Sequence, residues 1–367
     1  MNKAQKIPGI ITIVLFIFFI TMPIITMNTK HSQISEIDNT PLMEFKDIGR
    51  KESITKDYES YISGRIGFRT QMINTYLYAN DALFNTLLHP TYEYGTNGYV
   101  FFKMPDEELD QKYLDSFVRY IKYMQTYCTA HDISFLYCIN PDKTQVYEQY
   151  LPSGANLTFC RQNYILSKLQ DYNINYMDNT PLLINESKNT QVFDKKFDAG
   201  HWNETGALIG ISNILDNLKN TYPMIPLNKD SDYTAADIIH EYLPLSYFRI
   251  DEPSVTYTRN NPEAIDVTAA DTDIELDETY NDYSHYINPG HPEYPSILVF
   301  RGSYFLGKEK FMNESFSESI FVHSYYNIFD FEYYIDVFEP DIVLFESVEY
   351  ATINKYFPKK MLDSKLK

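Results

Sequence analysis

The sequence predicts an α/β fold, in which helices cover both faces of a central sheet in a three-layer α/β/α arrangement, preceded by one transmembrane helix. Short apolar strands at residues 133–139, 297–300 and 340–346 alternate with segments of helical periodicity, an order typical of such folds. A charge-free apolar run occupies residues 7–27. Residues 222–295 are acidic and interrupt the alternation, so we expect them to form an insertion.

The apolar run Ile7–Met27 is close to the roughly 20 residues that a helix needs to cross a bilayer. Lys3 and Lys6 precede it, which favours a cytoplasmic N-terminus, whereas Lys30 and His31 on the other side weaken the asymmetry. A cleaved signal peptide is the alternative, but the run is long for one and no small-x-small cleavage site follows. We therefore expect a single-pass protein of the cell membrane whose catalytic domain is extracytoplasmic.

The chain divides into three expected parts: a membrane anchor at residues 1–30, a polar linker at 31–56, and a catalytic domain at 57–367. Within the domain, helical periodicity recurs from residue 57 and predicts an amphipathic helix or two leading into the sheet. Further helices are expected at residues 107–131, 162–172 and 205–218.

The stretch Glu263–Asp282 contains acidic side chains and no lysine or arginine. Carboxylates alternate at Asp271, Asp273, Glu275 and Asp277, which leaves a calcium loop as an alternative. Because the glycine and the spacing of an EF-hand are missing, a solvated acidic loop is the favoured interpretation.

The composition limits the classes of partner. With 31 basic and 50 acidic residues, the chain carries a formal charge of −19, which disfavours nucleic acid and anionic headgroups. Abundant tyrosine and phenylalanine suit sugar rings, although core packing explains them equally well. The three cysteines, Cys128, Cys138 and Cys160, are too few for a disulfide framework and lack metal-ligand spacing, so we expect no metal and no cofactor.

Two short segments have the residue types of a serine-hydrolase site. Asp198 and His201 lie on a loop that opens a helix, and Ser303 follows Gly302 in a tight turn after the apolar strand that begins at Ser296. A serine hydroxyl needs a base to take its proton, and the base needs an acid that fixes its tautomer. The spacing therefore predicts that Asp198 orients His201 and that His201 deprotonates Ser303.

These motifs resemble the SGNH hydrolase superfamily and, more narrowly, the SGNH-like polysaccharide O-acetyltransferases typified by the alginate O-acetyltransferase family. The narrower resemblance rests on Gly95–Phe101, on Asn140–Lys143 and on His201–Trp202. It also rests on motif order, because the Asp-x-x-His block precedes the serine block, as in the circularly permuted acetyltransferases. The resemblance covers roughly residues 57–349.

The resemblance implies Ser303 as nucleophile, His201 as general base, Asp198 as orienting acid and an acetyl-serine intermediate. It further implies a polysaccharide acceptor outside the cell and, as partner, a multi-pass membrane acyltransferase that supplies acetyl groups. Four residues are candidates for the cleft or the oxyanion site: Gly302, Trp202, Lys143 and Tyr147.

The chain departs from the family pattern at three places. Two residues, rather than one, separate Asp198 from His201, so Asp194 remains an alternative acid. Gly302 stands where an aspartate usually precedes the serine. The strand that ends near Glu346 lacks the asparagine or arginine expected after it, which leaves the second oxyanion donor unassigned.

Three functions are compatible with these observations. The favoured one is an O-acetyltransferase acting on a cell-surface or secreted polysaccharide. An SGNH-type carbohydrate acetylesterase would use the same residues with water as acceptor. A non-catalytic glycan-binding scaffold in surface-polymer assembly is the third, motivated by the departures around Ser303.

Overall fold

The computed structural model describes residues 3–30, 33–35, 41–84, 86–87, 91–103, 109–152, 154–155, 160–244 and 248–366. Residues 31–32 and 36–40 of the predicted linker and residues 107–108 of a predicted helix lie outside them. The chain divides into two compact units, residues 1–94 with 241–251 and residues 95–240 with 252–367.

The first unit contains three helices, α1 (Lys3–Ile25), α2 (Ile54–Arg65) and α3 (Arg69–Phe84), and the short strand β1 (Tyr92–Tyr94). Side chains of α2 hold the segment before it. The buried Asp57 accepts backbone N–H groups from Gly49, Lys51 and Glu52, and the buried Arg65 donates to backbone carbonyl groups of the preceding segment.

The structure contradicts the prediction of a transmembrane helix at residues 7–27. In the part of the chain that the structure describes, no helix is both long and apolar enough to cross a membrane.

The second unit contains the remaining helices and strands. The helices are α4 (Gln111–Ala130), α5 (Lys143–Val146), α6 (Cys160–Asp171), α7 (Thr180–Glu186), α8 (Glu204–Lys219), α9 (Phe331–Phe338) and α10 (Lys359–Lys365). The strands are β2 (Val100–Phe102), β3 (Ser134–Asn140), β4 (Tyr176–Asp178), β5 (Tyr233–Tyr242), β6 (Arg249–Arg259), β7 (Ile265–Asp266), β8 (Tyr283–Ile287), β9 (Ser296–Arg301), β10 (Glu318–His323) and β11 (Ile342–Val348). The last two residues of β5 and the first three of β6 belong to the first unit.

Seven of the described strands form one sheet in the order β4-β3-β11-β9-β10-β8-β7. The first five are parallel, and β8 and β7 add to one edge in antiparallel pairing. The carboxyl ends of β3, β11 and β9 therefore meet at one edge of the sheet, where open α/β sheets carry their ligand sites.

Helices cover both faces of this sheet. On one face, Leu136, Val299 and Leu344 pack in a core with the apolar stripe of α8. On the other, Phe300 and Phe345 pack with α4, α6 and α9. Successive residues of a strand point to opposite faces, so strands that are apolar at every position supply both cores.

The predicted insertion at residues 222–295 is partly a continuation of the sheet. It supplies β8 and the edge strand β7, while β5 and β6 pair separately as a two-stranded sheet. β5 is largely exposed and β8 contains only five residues, so the sequence signal of these strands is weak.

Candidate active site

Ser303 lies at the carboxyl end of the central strand β9. All but the first residue of β9 are buried, and the chain then passes through Gly302 into a single 3₁₀ turn, Ser303–Phe305. The Gly302 N–H donates to a carboxylate oxygen of Glu346, 2.8 Å away, on the neighbouring strand β11. This hydrogen bond to the neighbouring strand fixes the turn, and Ser303 lies at the edge of the sheet formed by the carboxyl ends of the strands.

Asp198 and His201 lie on the loop between α7 and α8. Asp198 has a φ of +52°, a left-handed conformation that aspartate tolerates better than most residues. Its Oδ1 accepts the backbone N–H groups of Gly200 and His201. Asn203 then caps α8 by accepting the Gly206 N–H, so the loop is held at both ends of the motif.

The three side chains form a continuous hydrogen-bonded chain. His201 Nδ1 lies 2.8 and 2.9 Å from the two carboxylate oxygens of Asp198, and His201 Nε2 lies 2.8 Å from Ser303 Oγ. When Nδ1 donates to Asp198, Nε2 carries the lone pair that accepts the serine proton. This is the arrangement that a general-base-activated serine requires.

The pair of Asp198 and His201 shifts the pKa of each partner. Burial opposes the charged form of both groups, but their mutual attraction and hydrogen bond outweigh it. The pKa of Asp198 is therefore lowered and the pKa of His201 is raised above its ordinary value. The carboxylate of Glu346 adds to the rise at His201. Asp198 is thus suited to stabilise an imidazolium once His201 has taken a proton.

Two aromatic residues join the serine turn to the histidine loop. Trp202 Nε1 donates to the Tyr304 carbonyl oxygen over 2.8 Å. The buried Tyr304 hydroxyl lies within hydrogen-bond distance of two carbonyl oxygens, those of Gly200 and Pro141. The contacts of Tyr304 with Trp202 and Gly200 link the neighbours of Ser303 to those of His201, so they fix the separation between the two residues.

Glu252 holds the approach to the motif. Its carboxylate accepts the consecutive backbone N–H groups of Lys195, Lys196 and Phe197, at 2.5 to 2.6 Å. Glu252 belongs to β6 and is buried. Backbone groups of an irregular loop need such partners when they are withdrawn from water, so Glu252 stabilises the loop conformation that carries Asp198.

Glu346 near the end of β11 and Tyr350 just after it complete the surroundings of Ser303. The sequence analysis assigned neither residue a role. Glu346 is fully buried, and burial raises its pKa, opposed by hydrogen bonds from Gly302 and Asn140. Burial raises the pKa of Tyr350 well above its ordinary value, and the nearby Ser303 side chain opposes this rise. Their position at the end of a buried strand was the available signal.

The four cleft candidates differ in their placement. Trp202 contributes to the cavity beside Ser303. The Gly302 N–H is occupied by Glu346, so it is not directed at an oxyanion. Lys143 is fully buried, donates to the carbonyl oxygens of Val100 and Lys195, and has a pKa lowered to about 8 by burial. The Tyr147 hydroxyl accepts the Val192 N–H, and neither Lys143 nor Tyr147 lines the cavity.

A cavity of about 370 Å³ opens in front of the three side chains. The alternative acid Asp194 lines it but contacts His240 rather than His201. Among the described residues, no group of three or more histidine, cysteine, aspartate or glutamate side chains is placed to hold a metal ion.

Comparison with known proteins supports the resemblance seen in the sequence. Residues 94–249 match the family model described as an SGNH hydrolase-like domain, acetyltransferase AlgX. The predicted resemblance to SGNH-like acetyltransferases is therefore confirmed for this segment, which contains Asp198 and His201. A search of curated proteins found no match.

Solved structures show the same fold. Bacillus cereus PatB1 with a sulfonyl adduct matches with a TM-score of 0.56 and 16% identity, over 72% of this chain and 98% of that one. The O-acetyltransferase domain of Pseudomonas putida AlgJ matches with a TM-score of 0.51 and 15% identity, over 76% and 99%. A DHHW family protein from Eubacterium siraeum matches with a TM-score of 0.50 and 14% identity, over 75% and 98%.

Proposed function

We propose that this protein is an SGNH-like O-acetyltransferase that carries an acetyl group on Ser303 and passes it to a hydroxyl of a polysaccharide outside the cytoplasm. One observation carries the proposal: Ser303 Oγ lies 2.8 Å from His201 Nε2, while Asp198 holds the other ring nitrogen. Such a site can transfer many acyl groups. The match of residues 94–249 to an acetyltransferase family model favours acetyl as the group transferred.

The reaction has two steps. Ser303 Oγ attacks the acetyl carbonyl carbon while its proton moves to His201 Nε2, and the leaving group departs with that proton. An acceptor hydroxyl then attacks the acetyl-serine carbonyl and gives its proton to His201, which returns it to Ser303 Oγ as the ester bond to serine breaks. Asp198 stabilises the imidazolium in both steps.

Two groups near Ser303 are suited to stabilise the oxyanion that forms in each step. The Ser303 backbone N–H lies at the start of the 3₁₀ turn, and the Tyr350 hydroxyl lies near the serine side chain. Donors fixed at the place where negative charge develops lower the barrier to acyl transfer. We assign Tyr350 the role of the second donor, which the sequence left open.

An acetyl donor must reach the site. Acetyl-coenzyme A is a cytoplasmic compound, so a site outside the cytoplasm requires a separate acyltransferase in the membrane to deliver the acetyl group. We therefore propose a multi-pass membrane acyltransferase as the partner that supplies acetyl groups to Ser303. Its support is the chemistry of the donor together with the acetyltransferase family match.

The direct test is the Ser303→Ala substitution. We expect the release of acetate from 4-nitrophenyl acetate to fall about a thousandfold or more, because no other hydroxyl occupies the position facing His201 Nε2. Ser187→Ala is the matched control, since Ser187 lies outside the cavity and hydrogen-bonds a carbonyl of its own helix. Full activity of the Ser303→Ala variant would contradict the proposal.

A fluorophosphonate probe separates an enzyme from the non-catalytic scaffold. It phosphonylates an activated serine, so we expect one label on the wild type and none on Ser303→Ala. Transfer is separated from hydrolysis by adding an oligosaccharide together with the acetyl ester. A mass gain of the sugar supports the transferase, whereas acetate as the sole product supports the acetylesterase.

A further inference from the structure

The cavity has a second wall that the reaction at Ser303 does not use. Its residues come from β5 and β6 and include Ile238, His240, Ser254 and Thr256. Within each strand these positions are two apart, so their side chains point to the same side. The cavity volume of about 370 Å³ lies in the range of small-molecule sites.

This wall contains a second pair of histidine and aspartate. His240 Nε2 lies 3.4 Å from Asp194 Oδ2, and the His240 ring stacks on Phe197 with a centroid separation of 3.5 Å and an interplanar angle of 2°. Asp194 is itself held, because Ser254 and Asn203 donate to its Oδ1 at 2.8 and 3.3 Å. Two independent contacts therefore fix the orientation of the His240 ring.

The remaining ring nitrogen of His240 is available to a ligand. Its Nδ1 has no hydrogen-bond partner among the residues that the structure describes, and the side chain keeps 20% of its surface exposed. Asp194 is 5% exposed and close to Nε2 only. Such a ring, oriented by an acid on one nitrogen and open on the other, suits a hydrogen bond to an alcohol.

The charged side chains described around the cavity leave no unpaired cation for an acidic ligand. Asp194, Asp198 and Glu204 all line it, and the lysine that lines it, Lys308, is already paired with Glu204 at 2.7 Å. The chain as a whole carries a charge of −19. Lys310 is also paired with Glu204. A carboxylate entering this space would lose its hydration without gaining a free cation, whereas a neutral polyhydroxyl ligand needs none.

We propose that His240, held by Asp194 and Phe197, forms an acceptor subsite that hydrogen-bonds a hydroxyl of an uncharged sugar unit and presents the neighbouring hydroxyl to acetyl-Ser303. This inference deepens the proposed function, on which it rests. His240 is a positioning residue in the transfer step, since His201 takes the proton of the attacking hydroxyl.

The ratio of acetyl transfer to hydrolysis measures the contribution of this subsite. Transfer to sugar and hydrolysis to acetate branch from the same acetyl-Ser303, so their ratio depends neither on the rate of acetylation nor on the fraction of enzyme that is active. With 4-nitrophenyl acetate as donor and chitopentaose as acceptor, we expect His240→Ala to lower the ratio about tenfold or more and to raise the KM for chitopentaose.

The controls are chosen to exclude a general structural effect. His240→Gln keeps a side chain that can hydrogen-bond an alcohol, so part of the ratio should return. His291→Ala removes an exposed histidine that lies outside the cavity, beside Glu293, and should change neither quantity. An unchanged ratio in His240→Ala would overturn the subsite.

Direct binding distinguishes failure of the subsite from failure of the proposed function. Calorimetry with the Ser303→Ala protein should detect chitopentaose, and adding His240→Ala should weaken binding about tenfold. If the wild type transfers no acetyl group but this loss of binding occurs, the subsite stands and the transferase fails. If chitopentaose does not bind, or if a mannuronate pentasaccharide binds more tightly, the neutral-acceptor subsite is wrong.

Discussion

His201 and His285 are both paired with an aspartate, yet their surroundings make them suited to different tasks. His201 has Asp198 on Nδ1 and the hydroxyl of Ser303 on Nε2. His285, on β8, has Asp271 on Nδ1 at 2.6 Å and Glu318 on Nε2 at 2.7 Å. With acids on both nitrogens, His285 has no nitrogen left for a substrate, and both nitrogens can donate to these carboxylates only when the ring is protonated.

The difference shows that a nearby carboxylate does not by itself identify a general base. The pKa of both imidazoles is raised, since burial is outweighed by their acidic partners. What separates them is the group on the second nitrogen. The same criterion places His240 between the two, because one of its nitrogens lies beside Asp194, the other has no hydrogen-bond partner among the described residues, and the side chain lines the cavity.

The largest expected effect comes from Asp198→Asn. The asparagine keeps the shape of the side chain but removes the charge and favours the wrong tautomer of His201, so we expect kcat for acetate release to fall about 10⁴-fold. The equivalent change at the other pair, Asp271→Asn, should leave the rate unchanged because it touches His285. Equal losses in both variants would show that the two histidines do not differ in the way described.

Tyr350→Phe should have the next largest effect. The phenylalanine retains the packing against Tyr304 but removes the hydroxyl beside Ser303. We expect kcat to fall about 10²-fold, the usual result of losing one oxyanion donor, with little change in KM. Labelling of Ser303 by the fluorophosphonate probe checks that the site remains assembled. A rate equal to that of the wild type would remove Tyr350 from the mechanism.

The pH dependence of the rate should report the raised pKa of His201. The base acts in its neutral form, so kcat/KM for 4-nitrophenyl acetate should rise with pH, about tenfold per unit, up to a midpoint above the ordinary value of 6.5. In Asp198→Asn the midpoint should move to lower pH, because the attraction that favours the imidazolium is lost. A midpoint that stays in place would assign the titration to another group.

The sequence was sufficient for features that depend on local pattern. A buried apolar run followed by Gly302 and Ser303 marks a strand end, and Asn203 after the Asp198-x-x-His201 motif marks a helix start, so both segments could be placed on their elements. The structure brings these side chains into hydrogen-bond contact. Their catalytic roles remain predictions that the substitutions above test.

Features that depend on strand order could not be predicted. Glu346 and Tyr350 reach Ser303 because β11 lies beside β9, and His240 reaches the cavity because β5 pairs with β6, and no local pattern encodes either neighbour. Strand β8 was missed for the same reason, because no local pattern in its acidic segment encodes the pairing with β10. The transmembrane helix was predicted from a charge-free apolar run. This prediction is wrong, because no helix among the described residues is long and apolar enough to cross a membrane.

The smallest effect on activity and the clearest effect on stability should come from His285→Gln. Because the pKa of His285 is raised in the folded protein, its charge stabilises the fold below the unfolded pKa near 6.5, and this contribution is lost as pH rises through the folded pKa. Glutamine cannot supply the charge between Asp271 and Glu318, so we expect the free energy of unfolding at pH 6 to fall by about 1–3 kcal/mol.

Urea unfolding at pH 6 and pH 9 measures both parts of this expectation. The wild type should lose stability over this interval relative to His285→Gln, so the difference between the two proteins shrinks as His285 deprotonates. Tyr283, which donates to the same Asp271 oxygen, is present in both proteins, and its pKa is raised, so it stays protonated over this range. His291→Gln, at an exposed pair with Glu293, serves as the control. A pH-independent difference would mean that His285 acts through packing and hydrogen bonds rather than as a cation.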